Sequence, residues 1–332
     1  LNFPPMTRIF FLLILLFVFS PVSAQIFERE DFHLSLEPTF AYSSGVLTES
    51  LYHSTDTNKK ISLLEWERKV WLYGLKIGGN FKKFHFNAGV ESSIPTKSGK
   101  MRDSDWLNTA DYAMKTTYSV GTNYADENFD SAISFSYRFE PCDGFFVSPM
   151  AQAQYSFDSF YRKKGANGWY GQSEWSSDGK KHWWYEDEAQ EFPSLNPETG
   201  KTRKLAGIDY YRHSFFAWAG LSLGFQIRRF YADFTFLASP FTYLSAEDRH
   251  HTAGEDNVFH EIQQDFFASY KFNLSLAYEI SRYFDVTLDG TFLFSADIVG
   301  DLYLGWSKNV DQPSSAGTQI GSIRLGFTVK IF

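Results

Sequence analysis

From about Leu34 to the C-terminal residue, apolar side chains recur at every second position, with polar or charged ones between them. Successive side chains of a strand point to opposite faces, so this period describes strands with one greasy and one polar face. The last segment has it most cleanly: Ile323, Leu325, Phe327, Val329 and Ile331 alternate with Ser322, Arg324, Gly326, Thr328 and Lys330. Phe272, Leu274, Leu276, Tyr278 and Ile280 alternate with Lys271, Asn273, Ser275 and Glu279. Phe230, Ala232, Phe234 and Phe236 alternate with Tyr231, Asp233 and Thr235, and Phe284, Val286, Leu288 and Phe292 with Asp285, Thr287, Asp289 and Thr291. A soluble sandwich would have to cover both faces of some strands. A closed antiparallel barrel in a membrane needs only lipid outside and a polar, ionic interior, so a transmembrane β-barrel is the expected all-β fold.

Composition agrees. Aromatic residues make up 19% of the chain, led by 35 Phe and 19 Tyr, more than a soluble core requires and suited to a lipid-facing band with interfacial girdles. Mean hydropathy is nevertheless negative. At the N-terminus, Arg8, the apolar run Ile9 to Phe19, Pro21 and Val22-Ser23-Ala24 read as a secretory signal peptide cut after Ala24, with Met6 as the expected start. Residues 1–24 would then be removed, leaving 25–332 as one barrel domain. Gln25 rather than Cys follows the cut, so no lipoprotein is expected. Beyond that run nothing is long and apolar enough for a membrane helix, so crossing falls to strands. The single Cys142 excludes an internal disulfide, and the net charge of -8 argues against nucleic acid as partner.

Connections fall into two length classes. Short turns are expected at 80–83, 141–144, 228–229 and 281–282, and long polar stretches at 54–60, 96–128, 162–207, 246–257 and 306–315. Four short and five long connections give ten strands with both chain ends on the periplasmic side. A ten-stranded barrel is narrow and filled by side chains, which disfavours an open porin. Inward charges such as Asp233, Lys271, Asp285, Asp289 and Arg324 are expected to form a filling ionic network rather than a transport path.

Two of the long stretches carry chemistry. In Lys100-Met101-Arg102-Asp103-Ser104-Asp105-Trp106-Leu107, Asp103 and Asp105 are two apart, and in Ser245-Ala246-Glu247-Asp248-Arg249-His250-His251 so are Asp248 and His250. In extended backbone each pair shares a face. A carboxylate beside an imidazole orients the ring and favours its protonated form, so the ring can act as a base near neutral pH. Two carboxylates held close share a proton, which is then available to an oxyanion or leaving group. Together the pairs could activate water without a covalent nucleophile.

These segments, in this order and strand context, resemble the omptin family of outer-membrane endoproteases, a likeness that covers essentially the whole mature chain. Ser62-Leu63-Leu64-Glu65-Trp66, Asn123-Tyr124-Ala125, Tyr155-Ser156-Phe157 and the C-terminal strand ending on Phe332 carry it further. The resemblance implies a ten-stranded barrel with an extracellular groove, in which Asp103 and Asp105 face Asp248 and His250 and a water is activated between them. It implies cleavage of peptides or proteins beside basic residues, with Glu49 in an acidic specificity pocket. The second pocket acid of the family falls on Ala246 here, and Glu247 beside it is the expected substitute source of negative potential. The family's lipopolysaccharide pattern, an acid and an Arg just before Tyr-Ser-Phe, falls on Gln152 and Gln154, so a requirement for that lipid loses its motif. No cofactor or metal is expected, and the barrel is expected to act as a monomer in outer-membrane lipid. Two rival readings are a zinc hydrolase using His251 and His260 beside His250, and a non-enzymatic adhesin or receptor. The aromatic stretch Trp169, Trp175, Trp183, Trp184 and Tyr185 reads as girdle or loop packing.

Overall fold

The computed structural model describes residues 32–54, 56–107, 115–165, 169–172, 174–175, 181–182, 206–251, 256–305 and 307–331. The expected signal peptide, most of the aromatic stretch and Phe332 lie outside these residues. The strands are β1 (Phe32–His53), β2 (Asp56–Phe81), β3 (Phe84–Ser93), β4 (Thr96–Asp105), β5 (Thr117–Tyr137), β6 (Phe139–Cys142), β7 (Phe145–Arg162), β8 (Trp169–Gln172), β9 (Glu174–Trp175), β10 (Lys181–His182), β11 (Gly207–Ile227), β12 (Phe230–His251), β13 (Asp256–Asp265), β14 (Ser269–Ser281), β15 (Phe284–Leu304) and β16 (Ser307–Lys330).

The sheet closes on itself. Successive staves are β1, β2, β3 with β4, β5 with β6, β7, β11, β12, β13 with β14, β15 and β16, and β16 pairs back onto β1 from Ser35↔Lys330 to Leu51↔Ser314. Counted this way, the described residues form ten staves, as the connection pattern predicts. Pro95, which has no N–H for a ladder, interrupts the third stave, and Phe267, in the left-handed region at φ 57, interrupts the eighth. Among the described residues each of the ten staves is paired on both sides, which a backbone in lipid requires.

Alternation holds along each segment, and on β12 a bulge opposite Ala217–Ala219 reverses its phase between Ser239 and Thr242. Phe40, Trp71, Phe135, Leu223, Phe234, Phe272, Leu288, Phe292 and Leu325 are exposed on the outer wall. Aromatic rings bridge neighbouring strands there, with Phe40 stacked on Trp71 at 5.1 Å and Phe236 against Phe272 at 5.1 Å. Inside, Arg324 pairs with Glu91 at 2.6 Å, Lys76 with Asp289 at 2.7 Å, Lys330 with Asp285 at 2.8 Å, and buried Arg68 with Asp158 and Asp130 at 2.8 Å each. Two of the expected network members take neutral partners instead: Lys271 donates to Gln152 and Gln154, and Asp233 accepts from Ser222 and Thr235. Gln152 and Gln154 therefore face the lumen, not the lipid.

The four short turns lie where the sequence predicts them. The long polar stretches do not all become loops: β2 resumes at Asp56, β4 occupies Thr96–Asp105, β12 runs to His251 and β16 begins at Ser307. The reason is geometric. A strand of 22 residues rising about 3.3 Å per residue and tilted by about 40° climbs roughly 55 Å, twice the ~25 Å apolar belt. Above the belt the ladder still binds the strands together, but the outer face meets water and the apolar half of the alternation vanishes.

Candidate active site

The extended strand ends at the long-connection rim carry both carboxylate-bearing segments, well beyond the aromatic belt. On β12, alternation turns Leu244, Ala246, Asp248 and His250 inward. His250 Nε2 and Asp248 Oδ2 are 2.5 Å apart, and the ring meets Phe259 of β13 edge-on at 5.6 Å. The bond through Nε2 assigns that nitrogen the proton and leaves Nδ1 to accept one. Asp248 itself is buried, so its charge is poorly screened and directed at the ring. Burial pulls the His250 imidazolium down, but the hydrogen bond and charge of Asp248, with help from Asp103, prevail and raise it above the usual histidine range.

Across the lumen, Asp103 and Asp105 lie on β4. Thr117 donates to Asp105 at 2.7 Å, and Ser119 approaches Asp103 at 3.4 Å. Burial and then the Asp105 charge push Asp103 up to about 6, against Arg162 and His250, which pull it down. His250 and Asp103 thus act on each other's protonation, which brings the two sequence-predicted halves into one electrostatic unit. The β4 backbone that presents Asp103 is bent by a bulge between Lys97 and Lys100, with Gly99 at φ 89. A Cβ at Gly99 would collide with the Glu67 carboxylate. That carboxylate accepts from the Lys100 N–H at 3.1 Å and from Arg102 at 2.8 Å, fixing the bulge.

Aromatic packing lines the same region. Trp66 stacks on Tyr210 at 5.2 Å and on Phe160 at 6.2 Å, all three buried with Leu47, Leu64, Met101 and Ile208. These side chains pack the lumen beside the charged groups; Asp248 and Arg162 are shielded from solvent, while His250 and Asp103 keep partial exposure.

Not every expected residue joins the site. Glu247 is a neighbour of Asp248 in sequence and so faces the other way. It binds Arg249 at 2.8 Å and approaches His260 at 3.7 Å on the outer wall, where its charge is spent. His251 is likewise outside, between Asp209 and Asp256 at 3.0 Å each. Among the described residues no group of three or more His, Cys, Asp and Glu side chains is placed to hold a metal ion. Glu49 does face inward on β1 and is buried. Two residues escaped the sequence reading. Arg162 of β7, buried, donates to Ser119 at 2.9 Å and stands 3.7 Å from Asp103. Glu261 of β13, also buried, lies close enough to Glu49 for each carboxyl to act on the other's protonation. Both arrive from strands outside the motifs. The β12–β13 hairpin register would have indicated Glu261, had the strand ends been read correctly.

The profile of the Omptin family matches residues 31–315. No curated protein sequence matches the chain. Among solved structures, the outer membrane protease OmpT from Escherichia coli superposes with a TM-score of 0.71 over 92% of this chain and 99% of that chain, at 16% identity. The translocator domain of autotransporter NalP from Neisseria meningitidis reaches a TM-score of 0.35 at 8% identity, over 90% of this chain and 88% of that one. The OmpT likeness speaks to the fold of the barrel.

Proposed function

The chain belongs to the omptin family of outer-membrane proteases, and on that premise we propose that it is an endopeptidase that hydrolyses peptide bonds beside basic residues, with its site facing the extracellular side. The observation that carries this reading is the 2.5 Å Asp248–His250 couple in electrostatic reach of the Asp103–Asp105 pair. Neither pair alone would suffice. A loop Asp-x-Asp is commonplace, whereas a couple and a pair lodged in one side-chain-packed lumen are arranged for proton transfer.

In the proposed reaction a water lies between the two pairs. His250 Nδ1 takes its proton as the oxygen attacks the scissile carbonyl, and Asp248 stabilises the imidazolium that forms. Asp103 and Asp105 accept hydrogen bonds from the water and orient it toward the carbonyl carbon. His250 then gives that proton to the amine nitrogen as the C–N bond breaks and the carbonyl reforms. Arg162, beside Asp103, limits how far that carboxyl rises. The inward acid Glu49 attracts a basic substrate side chain. The barrel acts as a monomer, and the inward-facing Gln152 and Gln154 argue against a lipopolysaccharide contact at those positions.

The test is cleavage of a quenched fluorescent peptide library with single and paired basic residues by refolded barrel, chelator present throughout. Cleavage beside basic residues is expected. Activity that chelator removes would support a metallohydrolase, and a folded barrel inert toward every peptide would favour the adhesin or receptor reading.

A further inference from the structure

Ala246, buried on the inner face of β12, stands directly opposite Glu261 in the β12–β13 ladder. Glu261 and Glu49, the inward acid of β1, act on each other's protonation, and the residues of β16 that face Glu49, Ser50 and Leu51 in the ladder, Ala316, Ser315 and Ser314, are small and fully buried. Their small side chains leave room for two carboxyls to meet above that strand. Gln263 of β13 donates to Glu261 at 2.8 Å and to Ser314 at 3.0 Å, bracing the arrangement.

The floor they form is rich in acceptors. Glu49 Oε2, Glu261 Oε1, Asp248 Oδ1 and Gln263 Oε1 are all buried without a hydrogen-bond partner. The nearby cation, Arg212, directs one Nη at the Gly317 carbonyl at 2.8 Å and the other at Thr318 at 2.6 Å. Buried acceptors left unmatched are costly, and a neutral group with one donor relieves few of them. A guanidinium brings five N–H donors and an ammonium three, each with the charge that two carboxyls favour.

We infer that Glu261 supplies the second acid of the pocket for a basic substrate side chain, entering from β13 at the rung where β12 carries Ala246. The inference rests on the endopeptidase reading and adds to it the residue that sets specificity. Solvent reaches neither carboxyl, so a basic side chain enters as neighbouring side chains swing aside, and meets acceptors already stripped of water. Burial, followed by the charges of Glu261 and Asp248, holds the Glu49 carboxyl well up, against Arg212; burial pushes Glu261 up to about 8, with Asp248 also raising it and Arg212 lowering it. The pair therefore keeps a proton at neutral pH, and an arriving cation releases it to solvent. Tyr210, buried beside Arg212, is the remaining titratable group facing the pair.

The experiment compares two peptides differing only in Arg or citrulline at the cleaved position, an exchange that keeps shape and removes charge. With the parent, Arg is expected to be preferred. Glu261→Gln should lower kcat/KM for the Arg peptide about tenfold or more, chiefly through KM, the size expected of one charge-assisted bond, and lower it much less for the citrulline peptide. Adding Ala246→Asp to Glu261→Gln moves the acid across one ladder rung and should restore the preference. The parent alone gives a second reading: the ratio of KM for Arg to KM for citrulline should rise as pH falls below about 8. An unchanged preference in folded Glu261→Gln, or a KM ratio flat with pH, overturns the inference while leaving the endopeptidase reading standing. Absence of cleavage of either peptide by folded parent overturns that reading and the inference with it.

Discussion

Asp103 shows what a single side chain gives up for its place in the site. Its carboxyl is raised from the ordinary range to about 6 by burial and by Asp105, so folding favours the protonated form. A group raised in this way stabilises the fold fully below its unfolded value and loses that contribution as pH climbs through about 6. At neutral pH the ionised carboxylate is therefore a burden. Asp103→Asn is expected to stabilise the barrel at pH 7 by about 1–3 kcal/mol, while abolishing cleavage. Urea unfolding followed at pH 4 and pH 7 checks this, since the gain should shrink toward zero at the lower pH. The residues of the couple and the pair were legible because spacing by two needs only an extended backbone to put both members on one face. Glu247 was misjudged by the same rule, one position out of phase, and Arg162 and Glu261 were invisible to it because they reach the site from other strands.

The strands themselves do more than carry side chains. On β4 the bulge at Gly99 sets the direction in which Asp103 projects, and the Glu67 carboxylate holds that bulge through Lys100 and Arg102. Gly99→Ala puts a Cβ into a left-handed backbone and against Glu67. The expected result is a closed barrel whose kcat falls by about 10- to 100-fold through misplacement of Asp103. Heat-modifiable gel migration reports the barrel, and kcat with KM reports the site; an unaltered kcat would show that the bulge does not position the pair. The alternating segments and short turns were readable from sequence because lipid imposes a strict apolar period on one face. Strand length was not, because above the belt the ladder continues without that period, and polarity imitates a loop.

At the scale of the whole molecule, the belt and the site divide the barrel between two solvents. The outer wall satisfies lipid, closure satisfies the backbone, and Trp66, Phe160 and Tyr210 pack as a buried stack beside the charged groups. The chain carries a net charge of -8, and its site is acidic. Capture of basic peptides should therefore slow as salt shortens the Debye length from about 10 Å at 0.1 M to about 3 Å at 1 M. kcat/KM for a basic peptide measured across that range should decline while a neutral peptide changes little, and equal behaviour of the two would remove electrostatic attraction from the account.

In the proposed mechanism His250, held by Asp248, activates a water opposite the carboxylate pair. The most direct test of this step is the hydrolysis rate of one basic peptide by the parent barrel and by folded His250→Ala, with chelator in both. A fall on the order of a thousandfold or more, to near background, is predicted from loss of the general base. Cleavage by His250→Ala at a rate close to that of the parent would contradict the account.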